Sequence, residues 1–156
     1  MRRSSYGFSL IELVVVLAVA AILVGVAAPR FFDRTVFAER GYADELAESV
    51  RQAQRTATLT GCAVEIRINA RGFRARMPQS INGHCAPLAA SNWSTPLRRS
   101  DGGELDSVPP AGVRIRGNTR MVFGADGRAS NPSAVIVPIG VRRLRVEAQT
   151  GRTSVL

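Results

Sequence analysis

Gly7-Phe8-Ser9-Leu10-Ile11-Glu12-Leu13 opens the stretch that decides the fold, and the apolar run behind it continues to Pro29. No charged residue lies between Leu13 and Ala28, and Gly25 alone interrupts the series of Leu, Val, Ile and Ala. With Phe8, Leu10 and Ile11 the run reaches the ~20 residues that cross ~30 Å of hydrocarbon. Glu12 is the exception. A carboxylate inside an apolar span costs about 2.5–3.5 kcal/mol on insertion scales, and such groups pair with an opposite charge. A cut after Gly7 would supply that charge. The freed α-amino group of Phe8, with an ordinary pKa of about 7.7–8, is largely protonated at neutral pH. It would lie one helical turn from Glu12 and, in a staggered stack of like helices, within reach of a neighbour's Glu12. Position alone also allows a plainer role: an acid in the first turn favours the helix dipole by roughly 0.3–1 kcal/mol.

The features taken together are more specific. A short basic leader, Gly-Phe-Ser-Leu-Ile-Glu, an apolar helix and Pro29, the twenty-second residue counted from Phe8, come one after another in order. This order resembles the class III signal of type IV pilins and type II secretion pseudopilins. The resemblance implies cleavage between Gly7 and Phe8 by a prepilin peptidase, N-methylation of Phe8, and a filament-forming helix in which Glu12 and Pro29 serve assembly. Ser9 stands where Thr is common and keeps a hydroxyl. An ordinary secretory signal cut after Val26-Ala27-Ala28 is the rival. Pro29 suits such a cut poorly, and that reading leaves Glu12 unexplained. Arg2-Arg3 is too short a match to argue a twin-arginine signal.

The chain has 156 residues, 46% of them apolar, enough for one modest domain behind an extended helix. Its net charge of +9 comes from arginine alone; there is no lysine. The charge is uneven. Residues 67–156 hold fourteen arginines against five acids, whereas residues 8–66 hold five against seven. The basic half favours acidic partners: nucleic acid, anionic headgroups or an acidic protein face. Arg2 and Arg3 keep the first residues cytoplasmic and send the chain beyond the helix across the membrane. In an oxidising periplasm, Cys62 and Cys85 read as one disulfide closing a loop of about 24 residues, a contribution of about 3 kcal/mol.

The chain reads as four segments: a leader at 1–7, a membrane-spanning or filament-core helix at 8–29, an amphipathic helix at 30–60, and a β-rich periplasmic domain at 61–156. Gly25 and Pro29 predict a kink or local melting near residues 25–30. Phe31, Phe32 and Phe37 cluster where the helix would leave the membrane. Val36, Ala43, Val50 and Ala57 recur every seven residues, joined by Leu46, Ala47 and Ala53, a stripe suited to lie on a sheet. Gly61 ends the helix. The period then becomes two: Val64, Ile66 and Ile68 face one way, Glu65 and Arg67 the other, and Asn69-Ala70-Arg71-Gly72 turns into a second strand to Met77. Residues 78–107 show no period and read as a long loop. Short strands are expected at 113–116, 119–123, 134–137, 144–147 and 153–156, forming an antiparallel sheet with the amphipathic helix on one face. The fold class is therefore α+β.

Phe123-Gly-Ala-Asp-Gly-Arg, then Val135-Ile-Val and later Gly151-Arg, resembles the C-terminal signature of the GspH/FimT family of minor pilins and pseudopilins. The resemblance implies the pilin fold and a minor pilin. Such a chain would wait in the inner membrane, join other minor pilins, the major pilin and the assembly platform, and prime a type IV pilus. The alternative is the GspH-type pseudopilin of type II secretion. Some FimT-like proteins contact DNA through Gly-Arg-x-Arg; here Gly151-Arg152-Thr153-Ser154 lacks the second arginine, although Arg142, Arg143, Arg145 and Arg152 still make a basic cluster suited to weak phosphate contact. No cofactor is expected. Asp126 is one carboxylate, too few for a metal. His84 beside Cys85 is not a positioned nucleophile–base pair, and the thiol is expected to be oxidised. The chain reads as the substrate of an enzyme at Gly7-Phe8 and not as an enzyme.

Overall fold

The computed structural model describes residues 9–31, 34–81, 84–85 and 92–156, with 26–31, 80, 81 and 84 described by backbone path alone. The chain divides into two compact units, Met1–Arg34 and Thr35–Leu156.

In the first unit, α1 spans Leu10–Phe31. Its helix runs on through Gly25 and Pro29, so the melting expected near residues 25–30 is absent. Ser9 starts it: the Leu13 amide donates to the Ser9 carbonyl at 3.2 Å. Of the expected segment at 8–29, Phe8 lies outside the described residues and 10–29 fall within α1. Among the described residues, no helix is long and apolar enough to cross a membrane.

In the second unit, α2 (Arg34–Thr60) presents Tyr42, Ala43, Leu46, Ala47, Val50, Ala53 and Ala57 to the core. That is the expected stripe with Tyr42 added and without Val36, which is 43% exposed. Ala at four of these positions lets the strands approach closely. The opposite face pairs Glu48 with Arg51 at 3.0 Å and with Arg55 at 3.6 Å, exposed contacts of little stabilising value.

The strands divide between two main sheets and not one. β1 (Val64–Asn69) and β2 (Gly72–Met77) form the expected hairpin, with Asn69 opposite Gly72. Residues 78–107 are less irregular than their composition suggests. They supply β3 (Ser80–Ile81), β4 (His84–Cys85), β5 (Thr95–Pro96) and β6 (Asp106–Ser107); β5 and β6 both pair with β2, and β3 pairs with β4. β7 (Thr119–Phe123) lies on the other side of β1, giving the order β5-β2-β1-β7. β8 (Val135–Ile139), β9 (Arg142–Val146) and β10 (Thr153–Val155) make a three-stranded antiparallel sheet with β9 central. The strand expected at 113–116 reduces to one bridge, Ile115 to Ile139.

Both sheets feed one core. Ile66 and Phe123 from the first sheet and Val137 and Leu144 from the second join Leu46 and Val50 of α2, all fully buried. Burial of each such side chain contributes about 1.5–3 kcal/mol. Tyr42 closes one end of the core, with its ring 6.1 Å from that of Phe73 and its hydroxyl donating to the Ser107 carbonyl at 3.4 Å. Burial, with the Glu45 carboxylate nearby, pushes the Tyr42 phenol well above its ordinary range, so it stays neutral.

Polar side chains of α2 then fasten both sheets. Gln54 donates from Nε2 to the Gly127 carbonyl at 2.9 Å and to the Thr150 carbonyl at 2.8 Å, using both amide hydrogens. Glu39 accepts from the Val141 amide at 3.1 Å, and Glu45 pairs with Arg99 at 3.1 Å. Gly127 and Gly151 have positive φ, 75° and 64°, and sit where a Cβ would strike α2 or each other. At Gly151 the added carbon would lie 2.7 Å from the Gly127 carbonyl oxygen. Asp126 caps its own turn, accepting from the Arg128 amide at 3.0 Å.

Replacing Gln54 with Ala leaves two carbonyls without their donor and is expected to lower stability by about 1–3 kcal/mol. Gly151→Ala, strained in φ and in space, is expected to cost more than about 2 kcal/mol. Urea denaturation followed by circular dichroism measures both.

Candidate functional site

The candidate assembly element is α1. Its large apolar side chains are exposed all round, from Leu10 at 80% to Val24 at 65%. Glu12 lies in the first turn, also exposed, with no ion pair among the described residues. Gly7 and Phe8, the expected processing pair, lie outside the described residues, as does the Phe31-Phe32 part of the aromatic cluster at the level of side chains. Phe37, in α2, is exposed. Pro29 lies within the helical path of α1.

The four C-terminal arginines do not converge. β9 alternates as expected: Arg143 and Arg145 point outward while Leu144 and Val146 enter the core, and Arg142 is half-buried at the strand's start. Arg145 and Arg152 line one open cleft of about 700 Å³ together with Glu147, Gln149 and Ser154. Glu147 pairs with Arg145 at 2.7 Å and neutralises much of its charge.

A second basic surface escaped the sequence reading. Across the outer face of the first sheet, Arg67 of β1 stands opposite Arg74 of β2 on one side and Arg120 of β7 on the other. Like charges in direct register repel. Glu65 answers them: its side chain is 3% exposed, and it takes Arg67 through two hydrogen bonds, at 2.9 and 3.1 Å, and also Arg120. Glu65 was expected on the solvent face with Arg67; the long arginine side chains cover it instead. Arg76 donates to the Ser94 carbonyl at 3.1 Å, and Trp93 lies beside Arg120, whose guanidinium carbon is 5.9 Å from the ring centre. The alternation Arg74-Ala75-Arg76 was the signal available, but nothing local placed Asn92 and Trp93 on the same face.

Cys62 and Cys85 form a disulfide with Cα atoms 5.6 Å apart. It ties β4 to the segment after α2. No free cysteine remains among the described residues. Among them also, no group of three metal-ligating side chains occurs.

Residues 2–28 match the prokaryotic N-terminal methylation motif. Over 75% of this chain and 91% of the other, the fold superposes on the type IV minor pilin FimU of Pseudomonas aeruginosa, with a TM-score of 0.53 at 17% identity. The chain is pilin-like, in motif and in fold. The minor pseudopilin EpsH of the type 2 secretion system of Vibrio cholerae superposes nearly as well, with a TM-score of 0.51 over 73% of this chain and 92% of that one, at 14% identity. In sequence, 53 residues are 45% identical to the type IV narrow pilus major component PilA5 of Thermus thermophilus. That alignment spans 34% of this chain and 46% of the relative, so the pilin-like chain covers about half the length of the curated relative it matches.

Reduction of the Cys62–Cys85 disulfide is expected to lower stability by about 3 kcal/mol. Urea melts of the folded protein with and without reductant give the difference; coincident melts would assign the bond no stabilising role.

Proposed function

We propose that this protein is a minor pilin of a type IV pilus, one of the subunits that prime filament growth and remain at its tip. The observation that carries the proposal is α1: an apolar helix with every described side chain from Leu10 to Gly25 exposed and one acid, Glu12, without a partner among the described residues. Apolar surface of this extent is stable when lipid or other helices cover it. Residues 8–29 anchor the chain in the inner membrane before assembly, and the same face packs on neighbouring pilin helices afterwards. The prepilin peptidase exposes the Phe8 amine, which then meets Glu12 within the apolar bundle. The second unit, with its own closed core, provides the contacts that choose neighbours.

The pilus is preferred to a secretion pseudopilus because the curated relative is a pilus component and FimU is a pilus subunit. EpsH keeps the secretion alternative in view. Duplex DNA is the less supported partner: Arg145 and Arg152 share a cleft, but Glu147 lines it too and pairs with Arg145. No catalytic role is assigned to any residue.

Two measurements test this reading. Mass spectrometry of the mature protein is expected to find N-methylated Phe8 as the first residue; any other start overturns it. Deletion of the gene is expected to reduce surface pili while secretion of exoproteins continues; the reverse pattern assigns the protein to type II secretion.

A further inference from the structure

We propose that the outer face of the five-stranded sheet is a binding site for an acidic saccharide, a sugar ring that bears a carboxylate. Glu65, Arg67, Arg74, Arg76, Asn92 and Trp93 line an open cleft of about 420 Å³ there. That volume lies in the ~300–1,000 Å³ range of small-molecule sites. The cleft is built from rigid strands, since every arginine in it belongs to β1 or β2.

The charge distribution selects the ligand. Three arginines face one glutamate in the lining, and Glu65 already holds Arg67 by two hydrogen bonds. Arg74 has no ion pair among the described residues; Asp106 stands opposite it on β6 without forming one. Among the described residues, Arg76 uses one donor, on the Ser94 carbonyl. A guanidinium has five N–H donors in a planar fork that matches a carboxylate. Arg74 and Arg76, two residues apart on one strand and so on one face, therefore offer open forks for one carboxylate.

Trp93 supplies the second half of the recognition. The indole lines this cleft and also the neighbouring one that contains Arg120, so it is the wall between them. The Arg120 guanidinium sits over its ring and also reaches Glu65. The indole gives the cleft an apolar wall, and the C–H face of a pyranose is a surface that fits one. Asn92 in the lining can both donate to and accept from a hydroxyl. A free phosphate offers no apolar face to the indole, so Trp93 in the lining favours a sugar ring that carries the anionic group.

The chain has one tryptophan, so its emission reports on this wall, and the Arg74 and Arg76 variants assign a change to this cleft. The full chain in detergent is titrated with trigalacturonate, with neutral maltotriose, with inorganic phosphate and with a short DNA duplex. Trigalacturonate is expected to give a saturable change in emission, and maltotriose to bind about tenfold more weakly or worse. Arg74→Ala and Arg76→Ala are each expected to weaken trigalacturonate by about tenfold or more, while Arg55→Ala on α2 leaves it unchanged. Circular dichroism melts confirm that the variants fold. A flat trigalacturonate titration overturns the proposal. So does equal affinity for maltotriose, saturation by phosphate or duplex at lower concentration, or retention of affinity in both cleft variants.

Discussion

An apolar helix exposed on all sides has to be covered from outside its own chain. The described side chains of α1 are in that condition from Leu10 to Gly25, while Thr35–Leu156 closes a core of its own. The two units thus meet the same physical demand in opposite ways. One buries its hydrophobic groups among themselves. The other leaves them exposed, and in the filament proposed above Glu12 would make their covering selective, because a carboxylate is tolerated in such a setting with a cation beside it.

The folded unit depends on α2 being narrow enough for two sheets to reach it. Alanines at 43, 47, 53 and 57 provide the approach, and Leu46 and Val50 fill the space between. The Gln54 amide then ties the turn at Gly127 to the turn at Gly151. Two short glycine motifs, far apart in sequence, turn out to be two sides of one joint on the helix. This gives a physical reason for glycine at both positions: the backbone is left-handed there, and the space a side chain would need is taken by α2 and by the partner turn.

Much of this was legible in the residues. Heptad spacing found the buried face of α2, period-two alternation found β1, β2 and β9, and the Asn69–Gly72 and Asp126–Gly127 turns lie where their chemistry put them. Each of these signals is local. The failures were non-local. Glu65 looked solvent-facing because alternation cannot know that Arg120, fifty-five residues away, will cover it. The strands β5 and β6 are two residues each and carry no period, so their pairing with β2 was invisible. The arginine cluster at 142–152 was drawn together by sequence proximity, yet strand alternation sends Arg142 and Arg143 to opposite faces and Glu147 claims Arg145. A second basic cleft instead gathers residues from β1, β2 and the segment before β5.

The division into a self-sufficient domain and a helix that needs external partners makes Glu12 the most informative single side chain. Glu12→Ala removes the acid without touching the core of Thr35–Leu156. Immunoblots of sheared pili and of membranes compare the variant with the wild type. The account predicts normal membrane levels and loss of the variant from sheared filaments; incorporation at the wild-type level would contradict it.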